Sequence, residues 1–131
     1  MEMEVYFPGN QKVHARYKGF VVETDQPTGG GGDNTAPSPF DLFLISIGTC
    51  AGFFALSFLQ KRDIPTEGAG LVLRSERDPE SHLVTNISLE IRLPAGFPEK
   101  YRDAVIRTVE QCTVKRHLDH PPAFETYTTI G

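Results

Sequence analysis

Residues 37–62 read PSPFDLFLISIGTCAGFFALSFLQKR, and the fold turns on this stretch. Ser38 is a good N-cap, Pro39 suits the first helical position, and Asp41 stands three residues after the cap, which together make a capping box with proline at its head. The spacing predicts a helix from Pro39 to about Arg62, where Lys61 and Arg62 complement the negative end of the helix dipole. From Leu42 to Leu59, eighteen consecutive residues carry no charge. A helix apolar on every side either crosses a membrane or lies at the centre of a packed protein. Ser46, Gly48, Thr49, Cys50, Gly52 and Ser57 dilute the apolarity, and the flanking sequence is patterned for water, so the buried reading is preferred. Residues 39–62 span about 36 Å of helix, more than one small chain can surround. A homodimer can, with the helix packed partly on its twin. Gly48 and Gly52, four apart, offer a face that another backbone can approach closely.

Outward from the helix the chain reads as strands. Met3, Val5 and Phe7 alternate with Glu4 and Tyr6 before a Pro8-Gly9-Asn10 turn. Val13–Tyr17 and Phe20–Val22 give two more strands around Lys18-Gly19. Asp25–Pro37 contains the run Gly29–Gly32 and two prolines and is expected to be a flexible surface loop; it lacks the GxxxxGK[ST] pattern of a phosphate loop. Beyond Ile64-Pro65 come a strand around Leu71–Ser75 and a longer one within His82–Leu93, where Ile87, Leu89, Ile91 and Leu93 share a face. A second helix is expected from about Pro98 to Leu118, with Tyr101, Val105, Val109 and Cys112 on its apolar stripe, and a last strand over Phe124–Ile130. The order is that of a single α+β domain over residues 1–131.

Composition narrows the function. A net charge of −4 disfavours a general nucleic-acid binder, which needs clustered cations to neutralise phosphates. The start, MEMEVYFPGN, has neither the basic nor the apolar region of a signal peptide, so a cytoplasmic location is the expectation. In a reducing compartment two cysteines are more often transient, catalytic or merely packed than a permanent staple. Two thiols make no tetrahedral zinc site. Cys112, His117 and His120 would not share a helical face, so no metal is expected.

Both cysteines are placed on helices facing the interior, Cys50 beside Phe43, Ile47 and Phe54 and Cys112 on the second stripe. There a thiol packs as a small hydrophobe. On the residues alone, two inert core cysteines and a redox pair both remain open.

The segment APSPFDLFLISIGTC, residues 36–50, resembles the first cysteine signature of the OsmC/Ohr family, the osmotically inducible and organic-hydroperoxide-resistance proteins. EQCTVKRHL, residues 110–118, is similar to the family's second cysteine motif. The resemblance covers nearly the whole chain. It implies antiparallel sheets packed around two long helices in an intertwined homodimer. It further implies that Cys50 attacks the O–O bond of an organic hydroperoxide and that Cys112 condenses with the resulting sulfenic acid. An external dithiol, lipoyl groups in the family's hydroperoxide reductases, would then restore both thiols; no bound cofactor is implied.

The chain departs from the pattern at two points: the family's glutamate is missing, and its arginine is not in clear register. Characterised members carry a glutamate ten residues before the first cysteine that orients an activating arginine; here that position is Phe40. Asp41 lies about 100° further around the helix, and Arg16 is the one arginine of the first hairpins, with Lys12 a weaker substitute. Asp41 is either a cap alone or a group of the site, and Arg16 either an activating cation or a solvated strand residue. The alternative to a peroxidase is a non-catalytic protein holding a small apolar ligand on the same scaffold.

Overall fold

The computed structural model describes residues 1–131, which divide into two compact units, residues 1–46 and 47–131. In the first unit β1 (Glu4–Gly9), β2 (Lys12–Tyr17) and β3 (Phe20–Val22) form an antiparallel sheet in that order. Val5 opposes Ala15 and Ala15 opposes Val22, so the alternation in the sequence puts these small and branched residues in one row across the sheet.

The glycine-rich segment after β3 is not the loosely tethered loop expected from its composition. It closes around Asp25, whose side chain is fully buried. The Asp25 carboxylate accepts hydrogen bonds from the backbone N–H groups of Gln26, Asp33 and Thr35 and from the Thr35 hydroxyl, at 2.8, 3.3, 3.1 and 2.7 Å. These bonds, the Thr35 hydroxyl first, hold its pKa well below the usual carboxylate range, and Lys12 at 3.9 Å adds to the effect. Gly32 passes so close to Gln26 that a Cβ there would sit 2.0 Å from the Gln26 carbonyl oxygen. The glycine run thus supplies close backbone approach rather than freedom.

α1 runs from Pro39 to Lys61 and begins in the first unit. Its start is the capping box the sequence predicts. The Asp41 N–H donates to Ser38 Oγ at 3.2 Å, and the Ser38 N–H donates to Asp41 Oδ2 at 3.1 Å.

In the second unit α1 buries Ile47, Ala51, Phe58 and Leu59, and Gly48 faces the Leu73 side chain. The antiparallel pair β4 (Gly70–Arg77) and β5 (Val84–Arg92) matches Leu71 with Ile91 and Leu73 with Leu89, all partly buried. Phe58, Phe97 and Tyr101 form an aromatic cluster with centroids 6.0–6.5 Å apart.

The single long helix expected over 98–118 is not formed. A 3-10 turn at Glu99–Tyr101 leads into α2 (Arg102–Val109), the chain breaks at 110–112, and α3 (Thr113–Asp119) follows. The break has a local cause. The N–H groups of Gln111 and Cys112 bond three residues back, to Thr108 and Val109, tightening the last turn of α2. Cys112 then adopts the extended backbone of an N-cap, with φ −59° and ψ 146°. The burial stripe survives the break, since Val105, Val109 and Cys112 are all buried. The fold therefore has one long helix, not two. The last strand is also absent: residues 121–131 have no regular structure, and Phe124, Tyr127 and Ile130 are exposed. A strand needs a hydrogen-bonding neighbour, and this segment pairs with none in its own chain.

Candidate functional site

Of the side chains singled out by sequence, the structure brings Cys50 and Cys112 together within the second unit. Cys50 projects from the middle of α1 and is partly exposed, whereas Cys112 retains 1% of its exposure; both thiols are free. Cys112 reaches this position as the N-cap of α3 rather than as a member of a helical stripe. Its Sγ accepts the Lys115 N–H at 3.4 Å. The Cys50 thiol lies close enough to influence its ionisation. Burial, the strongest influence, pushes the Cys112 thiol up in pKa; the Lys115 N–H opposes this, and the neighbouring Cys50 reinforces it. Cys112 is therefore a protonated thiol at neutral pH, poised against a more accessible one.

One helical turn beyond Cys50, Phe53 and Phe54 meet edge to face at 6.1 Å and line a cavity of about 310 Å³ together with Ser57, Phe58, Lys61 and Arg62. Thr108, one turn before Cys112, completes it. Arg62 lies 3.6 Å over the Phe58 ring and donates to the Phe58 carbonyl at 3.4 Å, so the rim is basic and the floor apolar. A separate apolar cavity of about 190 Å³ lies among Gly52, Leu56, Leu59, Leu71, Ile91 and Val105.

Asp41 and Arg16 belong to the first unit and each has a partner there. Asp41 is engaged in the capping box. Arg16 faces Glu4 across the sheet, with Nη1 3.3 Å from Oε1, and stacks 3.8 Å over the Tyr6 ring. Lys12 bonds Asp33 at 2.6 Å. Sequence reasoning missed the capping bond at Cys112 and the organising role of Asp25. A cysteine at an N-cap is too uncommon to read from spacing, and Asp25 opens a segment whose glycines signal only a loop.

The fold is shared with several solved structures. A Psychrobacter arcticus protein assigned to osmotic stress induction and detoxification response is 19% identical, with a TM-score of 0.74 over 87% of this chain and 85% of the other. The organic hydroperoxide resistance protein OsmC of Legionella pneumophila is 16% identical, with a TM-score of 0.56 over 89% and 87%. A Vibrio cholerae protein assigned to organic hydroperoxide resistance, solved with captopril in one of its active sites, is also 16% identical, with a TM-score of 0.58 over 92% and 86%. No curated protein sequence matches the chain. Residues 31–127, which contain both cysteines, match the model of the family described as OsmC-like protein, and the chain belongs to that family.

Proposed function

We propose that this protein reduces organic hydroperoxides with Cys50 and Cys112 as its redox pair. The observation that carries the reading is the asymmetry of two neighbouring free thiols, one partly exposed and one buried and held in its thiol form. The Cys50 thiolate attacks the O–O bond, forming Cys50 sulfenic acid and, with one proton, releasing the alcohol. The Cys112 thiol then attacks the sulfenic sulfur, its proton leaves with the hydroxyl as water, and a Cys50–Cys112 disulfide remains. An external dithiol returns two electrons and two protons by exchange, so the cycle needs no bound cofactor. Hydroperoxide resistance in the Legionella and Vibrio proteins of the same fold supports this chemistry, and the apolar cavity beside Phe53 and Phe54 suits a substrate with a hydrocarbon body.

A cytoplasmic homodimer completes the reading. α1 leaves Phe40, Phe43, Ile45, Phe53 and Leu56 exposed on a helix long and apolar enough, by length and composition, to cross a membrane. A second copy covering that surface removes the cost of exposing it. Reduced protein treated with one equivalent of hydroperoxide should lose two free thiols per chain and two mass units, with peptide mapping to a Cys50–Cys112 bridge. Retention of both thiols, or independent over-oxidation, rejects the mechanism.

The second reading, a non-catalytic carrier of a small apolar molecule, is favoured by the 190 Å³ cavity and by Phe40 at the position where family members carry glutamate. It requires a ligand-dependent rise in Tm without turnover. A panel of small apolar ligands that leaves Tm unchanged rejects it.

A further inference from the structure

The thiol-side cavity and the chamber of about 190 Å³ lie on opposite faces of α1. At about 100° per residue, Phe54, Ser57 and Lys61 fall within roughly 40° of Cys50 and line the first. Gly52, Ala55 and Leu59 fall about 140–180° away from Cys50 and line the second. Leu71 of β4, Ile91 of β5 and Val105 of α2 close its far side. Leu59 and Val105 are almost wholly buried, at 4% and 1% exposure, and form the floor. Thr66, Gly70 and Arg92 are exposed and form the mouth. Small residues make the space. Gly52 and Gly70 each stand where an added Cβ would meet nothing within 4 Å. Native interiors seldom leave voids larger than a water molecule, and an unfilled volume of this size costs stability. Water finds few polar partners here, because the one charged group of the lining, Arg92, is held by Glu90 at 2.8 Å.

We propose that this chamber is a binding site, separate from the cysteine pair, for a compact uncharged hydrocarbon-like molecule of about six to nine non-hydrogen atoms. An apolar cavity of about 150 Å³ stays dry and takes up benzene, which sets the lower end of that size. A charged molecule of the same shape would have to shed its water without gaining a partner, so the site excludes it. A space of this volume admits neither a helix nor a strand, and the occupant is therefore a small molecule. The site uses neither thiol and goes beyond the peroxidase reading; to the carrier reading it gives a place and a ligand class.

The test is thermal unfolding of the reduced protein with toluene, and with benzoate and benzylammonium as its charged counterparts. Toluene should raise Tm with concentration, by about 5 °C at ten times its dissociation constant, and the two ions should not. Gly52→Leu, whose side chain occupies the chamber, should lose the toluene shift. Gly70→Val, at the mouth, should lose it too, and decides if Gly52→Leu does not fold. Cys50→Ser should keep the whole shift. No shift in wild type, or an equal shift in the filled variants, overturns the inference. Loss of the shift in Cys50→Ser also overturns it, by placing the ligand on the thiol side. A change of oligomeric state on filling Gly52, with no toluene shift in wild type, overturns it as well and makes the occupant a side chain of a second copy. A chain that binds toluene but consumes no hydroperoxide keeps this site and loses the peroxidase. One that consumes hydroperoxide without a toluene shift keeps the peroxidase and loses this site.

Discussion

Two glycines three positions apart in the loop after β3 should respond to alanine in opposite ways. At Gly32 the new Cβ would meet the Gln26 carbonyl oxygen at 2.0 Å, its carbon at 2.5 Å and Cα at 2.8 Å, all backbone atoms that cannot rotate aside. At Gly29 a Cβ meets nothing within 4 Å. To accept Gly32→Ala the turn must open, and the two backbone bonds that close it are lost: Asn34 N–H to Gln26 O at 3.0 Å and Gly32 N–H to Pro27 O at 3.1 Å. At about 1 kcal/mol net for each, the loss is at least ~2 kcal/mol. An unfolding entropy near 2.1 cal/mol/K per residue gives about 0.3 kcal/mol per degree for a chain this size, so Tm should fall by roughly 7 °C or more. Gly29→Ala should be neutral or raise Tm slightly, because it restricts only the unfolded chain. Differential scanning calorimetry of both variants beside wild type decides. Equal Tm for the two variants, or a fall of less than about 2 °C for Gly32→Ala, would refute the close approach on which the loop is built.

The same loop predicts an acid-sensitive stability. Asp25 has its folded pKa depressed below the 3.8 of a free carboxylate, so its contribution is present above that value and lost as pH falls. Denaturant midpoints of wild type should decline between about pH 5 and 3, and Asp25→Asn, less stable at pH 7, should show a shallower decline; parallel curves would remove Asp25 from the account. Asp41→Ala should cost about 1 kcal/mol through the capping box and leave thiol reactivity toward hydroperoxide unchanged. A loss of reactivity in the folded variant would place Asp41 in the chemistry instead. Cys112 has its pKa raised above the usual 9.0, so the folded state favours the thiol and stability should fall as pH rises past about 9, where the unfolded thiol ionises first. Cys112→Ser should flatten that part of the profile, and an unchanged slope would contradict the buried, protonated thiol.

Much of this was legible in the sequence, for reasons particular residues make plain. Ser38, Pro39 and Asp41 specify the start of α1 through local chemistry alone, and Lys61 marks its end. The period-two alternation of Leu89 and Ile91 appears directly in β5, where both are half-buried beside their β4 partners. The second helix misled because the 4-4-3 spacing of Tyr101, Val105, Val109 and Cys112 reports which residues are buried, not whether the backbone stays helical between them. Cys112 satisfies that stripe from an N-cap. Phe124–Ile130 has the composition of a strand, but pairing is decided by a neighbour that sequence pattern does not supply. Asp25 stayed hidden because three of its four hydrogen bonds come from backbone N–H groups, two of them eight and ten residues away, and no side-chain pattern records those.

Whether Cys50 and Cys112 form a peroxidatic pair is decided by peroxide consumption by the reduced protein with cumene hydroperoxide and dihydrolipoamide, for wild type, Cys50→Ser and Cys112→Ser. Steady turnover is expected in wild type, none in Cys50→Ser, and in Cys112→Ser a single equivalent consumed before the reaction stalls. A folded wild-type protein with both thiols free that consumes no hydroperoxide would contradict the peroxidatic pair and leave the ligand-binding reading in its place.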